Sequence, residues 1–141
     1  MTQAIKSFRG PYRWLSNFWP AQVVLDGIVF GSVEHAYQAA KTLDLDHRRA
    51  IAGLAKPGQA KRYGRKLQVR EDWEQVKLAV MEDLLRQKFS HPDLGQKLLD
   101  TGDACLEESN VWRDFFWGVC DGKGENHLGR LLMKIRDGLR R

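Results

Sequence analysis

Apolar positions along the chain fall in two patterns, short continuous β-prone runs near the start and every third or fourth residue thereafter. The first pattern is brief. It covers Gln22-Val23-Val24-Leu25 and Ile28-Val29-Phe30, with Asp26-Gly27 between them. An Asp-Gly pair between two β-prone runs predicts a hairpin, because a tight type I′ turn needs two residues that tolerate positive φ. From Ser32 the spacing is helical. Val33, Ala36, Tyr37 and Ala40 share one face, and the Ser32 hydroxyl can accept from an orphan amide of the first turn. A second helical stretch runs from Asp44 to Leu54 on Leu45, Ala50, Ile51 and Leu54, and Pro57 opens a third. Asp72 is placed to cap a long helix to about Phe89, with Trp73, Val76, Val80 and Leu84 as its stripe and Met81, Leu85 and Phe89 beside it. Pro92 starts a shorter helix through Leu98 and Leu99, which Thr101-Gly102-Asp103 ends. Asn126 is placed to cap the last helix, whose buried stripe is Leu128, Leu131, Leu132, Ile135 and Leu139. No repeat, low-complexity tract or linker interrupts this pattern. The pattern predicts a mainly α, compact single domain over residues 1–141, with a small N-terminal β-hairpin.

Composition sharpens the picture. The 141 residues, 43% of them hydrophobic, suffice for a real core. No run approaches the roughly 20 apolar residues of a membrane span, and no apolar signal region opens the chain, so a soluble cytoplasmic protein is expected. Cys105 and Cys120 lack metal-ligand spacing and read as reduced, buried thiols. His35, His47, His91 and His127 are scattered with no ligand pair at helical spacing, so no metal is expected. The net charge of +5 suits an anionic partner such as phosphate, a nucleotide or nucleic acid, and equally suits solubility. Lys56, Lys61, Arg62, Arg65 and Lys66 form a basic cluster that is either a solvated helix face or a phosphate contact.

Candidate chemistry begins on the first helix. Glu34, Gln38 and Lys41 follow one another at i, i+4 and i+7, which puts a carboxylate, an amide and an amine on one stripe. Glu34 lies near the positive end of the helix dipole, where a carboxylate is favoured. Spacing alone leaves two readings, a solvated face or one wall of a site. The segment Phe8 to Pro20 is dense in aromatics and broken by Gly10, Pro11 and Pro20. It is either a plug over the core or the wall of a pocket, with Ser16 and Asn17 as polar contacts. Trp73, in the first turn of the long helix, is placed to reach a pocket rim. The glycine-rich turn Asp121-Gly122-Lys123-Gly124 precedes a helix N-terminus and is either an anion site or an ordinary loop.

These residues, taken together, resemble the NADAR (YbiA-like) family. The resemblance runs through Ser16-Asn17-Phe18, Ser32-x-Glu34-His35-x-x-Gln38-Ala39-x-Lys41, Asp72-Trp73-x-x-Val76-Lys77-x-x-Val80-Met81 and Lys88-Phe89. It continues through Thr101-Gly102-Asp103, Glu108, Asp114-x-x-Trp117-Gly118, Gly122-x-Gly124-x-Asn126-x-Leu128-Gly129 and Leu132-Met133-x-x-Arg136. It implies a single YbiA-like helical domain and an N-glycosidase that cleaves a ribose–nitrogen bond. One branch of the family acts on phosphoribosylamino-pyrimidine intermediates of riboflavin synthesis, and another removes ADP-ribose from guanine. The segment Asn110-x-Trp112-x-Asp114-x-x-Trp117-Gly118-Val119-Cys120 resembles the second branch more closely.

The resemblance implies Glu34, Lys41 and Asp114 as catalytic residues. It implies Ser16, Asn17, Phe18, Tyr37, Gln38, Trp73, Glu108, Trp112, Trp117, Gly118 and Asn126 as substrate contacts. Cleaving such a bond builds positive charge on the anomeric carbon and ring oxygen, which Glu34 or Asp114 can stabilise. Trp73 and Trp117 can stack on the base or face the cationic sugar. Lys41 offers a second route, attack on the anomeric carbon and an imine with the opened ribose, provided that it is neutral. Neither route needs a metal or redox cofactor. The implied substrate is an ADP-ribosylated guanine nucleotide or a phosphoribosyl small molecule, with DNA as a possible carrier and no membrane partner. The alternatives are hydrolysis of riboflavin intermediates and, in a different class, a non-catalytic ADP-ribose or nucleotide binding module. The oligomeric state is left open.

Overall fold

A computed structural model describes residues 3–140. In chain order the elements are β1 (Ala4–Lys6), a 3₁₀ turn (Gly10–Leu15), β2 (Pro20–Leu25), β3 (Ile28–Ser32), α1 (Val33–Ala40), α2 (Leu45–Ala52), α3 (Pro57–Arg65), α4 (Trp73–Ser90), α5 (Pro92–Asp100), β4 (Cys105–Glu107) and α6 (His127–Leu139). The fold is mainly α, as the pattern predicts. The described residues group into two compact units, 17–88 and 3–16 with 89–140. None of the helices described is long and apolar enough to cross a membrane.

In the unit 17–88, β2 and β3 pair antiparallel through Val23↔Phe30, Val24↔Val29 and Leu25↔Ile28. The turn residues Asp26 and Gly27 have φ of 47° and 82°, the geometry for which Asp-Gly is suited. Strand β3 delivers the chain directly into α1. The Ser32 hydroxyl caps that helix by accepting from His35 N at 3.1 Å. The His35 ring completes a latch: Nδ1 lies 2.7 Å from Ser32 Oγ, and Nε2 lies 3.0 Å from the Leu54 carbonyl. A carbonyl can only accept, so Nε2 carries a proton and donates to it. All eight residues of α1 are buried, because the hairpin, α2 and α3 all pack on it. Its C-terminal end is held by Arg70, whose N–H donates to Lys41 O at 2.7 Å. The long helix α4 begins where expected, but the Asp72 carboxylate is taken by a bidentate pair with Arg70, at 2.6 and 3.0 Å.

In the other unit, β1 and β4 form a parallel pair, Ala4↔Cys105, Ile5↔Leu106 and Lys6↔Glu107, which the periodicity does not predict. Three-residue strands are too short to show alternation. The segment from Gly10 is more ordered than its glycine and prolines imply. Pro11 sits in the first turn of a 3₁₀ helix, where its missing N–H is harmless. That turn buries Trp14 and Leu15, and Trp14 meets Phe89 edge-on at 6.3 Å. Phe8, Trp14 and Leu15 thus plug the core, whereas Tyr12 stays exposed. Cys120 is buried as expected, but Cys105 is exposed, a correction that follows from its place on a two-stranded edge. Asn126 occupies the N-cap position of α6 without capping it. Its φ is 54°, and both ends of its side chain go elsewhere: Nδ2 to Leu106 O at 2.9 Å, and Oδ1 to Glu108 N at 3.0 Å.

Candidate active site

In the unit 17–88 the candidate chemistry gathers on α1. Glu34 and Gln38 are 8% and 4% exposed, which rules out the solvated-face reading for both. Glu34 N donates to Asn17 O at 3.1 Å, and its Oε2 accepts from Gln38 Nε2 at 2.6 Å. Asn17 thus contributes its backbone. Its side-chain Nδ2 reaches only Met81 Sδ, at 3.6 Å, and its buried Oδ1 has no hydrogen-bond partner. Tyr37 and Trp73 pack ring against ring at 5.2 Å, and both are buried. Trp73 therefore lies within the packing rather than standing out at a rim. Phe18 is exposed, and Lys61 Nζ lies 5.9 Å from its ring centre.

Lys41 closes the helix, half-buried, with Nζ 5.5 Å from the Tyr37 ring centre. Its pKa lies below the ordinary lysine value. Burial is the largest cause, and Lys61, Arg65 and Lys77 push the same way, while Glu34 pulls upward. Burial and like charge together outweigh the carboxylate. The result is an amine more readily neutral than a surface lysine, against the Tyr37 ring and within electrostatic reach of a buried carboxylate.

In the other unit, Asp114 organises the loop between β4 and α6. Its Oδ1 accepts from Phe116 N at 3.2 Å and from Trp117 N at 2.9 Å, an Asx turn. Asn110 clamps the same residue: Oδ1 accepts from Asp114 N, and Nδ2 donates to Asp114 O, each at 3.0 Å. Trp117 stands edge-on to Phe116 at 4.8 Å, and 6.5 Å from the His127 ring. Gly118 is buried where a β-carbon would run into Glu108 O and come within 2.6 Å of Asn110 Nδ2. Glu108 is half-buried, with its N–H donated to Asn126. Trp112 is 48% exposed, with the Arg9 guanidinium 5.8 Å above its ring. Ser16 ends the 3₁₀ turn, its N–H donated to Arg13 O at 3.0 Å.

The anion-site reading of the glycine-rich turn fails. Cys120 and Lys123 bond to each other across it, and the amides of Glu125, Asn126, His127 and Leu128 donate to the carbonyls of Phe115, Gly118, Phe116 and Trp117. Those amides point into the loop rather than towards a ligand.

Three neighbours of the candidate residues are not singled out by spacing or motif chemistry. His127 is one of four scattered histidines in the sequence, yet its ring lies 4.5 Å from Phe116. Lys77 sits inside a quoted motif, but its bearing on Lys41 needs the α4 geometry. Gly64 left a signal, since a glycine inside a short helix costs stability and calls for a packing reason.

Comparison with known proteins supplies the context. The NADAR domain family matches residues 5–140. The chain is 42% identical over 134 residues to N-glycosidase YbiA of Escherichia coli, covering 91% of this chain and 82% of that one. It is 38% identical over 137 residues to N-glycosidase Npun_R5314 of Nostoc punctiforme, covering 92% and 87%. A riboflavin biosynthesis protein of Vibrio vulnificus, VVA0006, is 38% identical over 130 residues, which are 89% of this chain and 35% of that longer protein. The NMR structure of E. coli YbiA superposes with a TM-score of 0.87 at 38% identity, over 99% of this chain and 87% of the other. Matched in sequence and in fold along nearly its whole length, the chain belongs to the NADAR family and is an N-glycosidase, a hydrolase of N-glycosyl bonds.

Proposed function

We propose that the protein removes ADP-ribose from ADP-ribosylated guanine, on a nucleotide or on DNA in the cytoplasm, through an imine on Lys41. The imine is carried by the depressed pKa of half-buried Lys41 at the end of the helix that holds buried Glu34, and the guanine substrate by the resemblance of Asn110-x-Trp112-x-Asp114-x-x-Trp117-Gly118-Val119-Cys120 to the ADP-ribose branch. Neutral Lys41 adds through Nζ to the anomeric carbon as the carbon–nitrogen bond breaks, and the electron pair leaves with the base, which takes up a proton. Loss of a proton from Nζ and opening of the ribose ring give the imine, which water hydrolyses to free lysine and sugar. Glu34 stabilises the positive charge that builds on the sugar, in surroundings dry enough for that charge to be strongly felt. Lys61, Arg65 and Lys77, whose charges all reach Lys41, suit a substrate that carries phosphate. Asp114 and Trp117 enter through the family motif, as a second carboxylate and a stacking ring.

A second reading, hydrolysis of phosphoribosylamino-pyrimidines, is favoured by the riboflavin biosynthesis proteins among the relatives, from V. vulnificus and Zea mays. The two share their chemistry and differ in the base. DNA as the carrier is supported by the loop around Trp112. Val111 is 81% exposed, and Arg9 and Arg113 lie over the rings of Trp112 and Phe115. Such pairs of ring and guanidinium stack on bases, with strong salt dependence.

The test is a chromatographic screen of ADP-ribosylated guanosine, ADP-ribosylated guanine in an oligonucleotide and the pyrimidine intermediates. Turnover of the guanine substrates alone supports the first reading, and turnover of the pyrimidines alone overturns it. Borohydride added during turnover should give a stable adduct on Lys41, seen as added mass. Lys41→Arg should give neither adduct nor activity. An active Lys41→Arg variant would replace the imine with direct hydrolysis on Glu34.

A further inference from the structure

We propose that Gly64 is a positioning residue for Glu34, acting through Gln38. It rests on the reading of Glu34 as the group that stabilises charge on the sugar. Gly64 lies in the last turn of α3, the helix packed on α1, and is itself buried. A β-carbon at position 64 would overlap Gln38 Oε1 and lie 2.7 Å from its Cδ. The glycine is a notch in α3, and the Gln38 amide fills it.

The orientation of that amide follows from its other end. Glu34 Oε2 lies 2.6 Å from Gln38 Nε2, and a carboxylate only accepts, so the amide must turn its NH₂ group towards Glu34. Oε1 then faces Gly64, where it is buried without a hydrogen-bond partner. An orphaned buried acceptor costs stability, and its retention here is understandable if the amide is set for Glu34 rather than for its own satisfaction. Any side chain at 64 would expel the amide from the notch and break the hydrogen bond that Gln38 Nε2 donates to Glu34 Oε2. The solvated-face reading of Gln38 does not account for this geometry, because the residue is too buried for it.

The experiment is a double-mutant cycle read in kcat and KM on whichever substrate the screen identifies, with circular dichroism as a check on folding. Gly64→Ala should lower kcat about a hundredfold, as a misplaced catalytic group does, while KM changes little. Gln38→Ala should do the same. The double variant should be no slower than Gln38→Ala alone, since the new methyl occupies space that the shorter side chain leaves. A simple packing role for Gly64 would instead lower the melting temperature without a selective fall in kcat. That result overturns the proposal, as does a folded Gly64→Ala with parental kcat. Should Gly64→Ala not fold, Gln38→Met decides: it keeps the length and removes the donor, and a parental kcat overturns the proposal. Glu34→Gln separates the two ideas. If it turns over normally the reading of Glu34 fails. If it is inactive while the cycle is additive, only the role of Gly64 fails.

Discussion

Asp114 carries two demands on one side chain. Its Oδ1 fixes the turn by accepting from the amides of Phe116 and Trp117, while the family motif asks its charge to face the sugar. The two demands separate by substitution. Asp114→Asn keeps an oxygen for both amides and removes only the charge, so turnover should fall about a hundredfold with the melting temperature nearly unchanged. Asp114→Ala removes both, and should also lose stability on the order of 1–3 kcal/mol as two half-buried amides go unpaired. Thermal melts beside turnover assays check this, and an active Asp114→Asn variant would make the residue purely structural. Lys41 makes a residue-scale prediction with a defined sign. Its neutral form is the nucleophile, so labelling of Lys41 by a small amine-reactive reagent, followed by mass spectrometry, should rise with pH to a midpoint below 10.5. Glu34 holds that midpoint up, so Glu34→Gln should move it further down. A midpoint at or above the ordinary lysine value would remove the physical basis for the imine.

Legibility in the sequence divides by element. The hairpin and α1 to α6 could be read because each is fixed by signals within a few residues: Asp26-Gly27, Ser32, Pro57, Pro92 and the repeats of three and four. The β1–β4 pair could not, since it joins Ile5 to Leu106 and no local pattern encodes a partner a hundred positions away. The α1 stripe was legible as a cluster, but whether it faced water depended on α3, and hence on Gly64. Asn126 shows the same limit. Its position before α6 was legible, but its partners, Leu106 and Glu108, come from a distant strand and the loop that follows it. It therefore fastens α6 to β4 instead of capping α6, and helix and strand approach closely enough that a β-carbon at Gly129 would meet the Leu106 carbonyl. Asn126→Ala should lower unfolding stability by about 1–3 kcal/mol for the two groups left unpaired. Denaturant titration checks the loss. If stability holds while KM rises, Asn126 belongs to the substrate and not to the scaffold.

On the scale of the whole molecule, Lys88 ties stability to pH. Lys88 is fully buried in α4, and burial pushes its pKa down to about 7. In the unfolded chain the ordinary value near 10.5 returns. The native state therefore binds fewer protons than the unfolded one between about 7 and 10.5, and stability should rise with pH across that window. Below about 7 the ammonium is charged in both states, and the full cost of holding it buried applies. At about 1.4 kcal/mol for each pH unit separating the two values, that cost is on the order of 5 kcal/mol, a large share of the stability of a protein this size. Above 10.5 it vanishes. Lys88→Met keeps a long flexible chain of similar volume and removes the charge. Any bond the amine makes is lost at every pH, so the informative quantity is the difference in unfolding free energy between variant and parent, compared at roughly pH 6 and pH 9.5. The variant should gain several kcal/mol relative to the parent at the lower pH, and most of that gain should be gone at the higher. A difference that is the same at both pH values would mean that Lys88 titrates alike in the folded and unfolded chains, and that its burial carries no electrostatic cost.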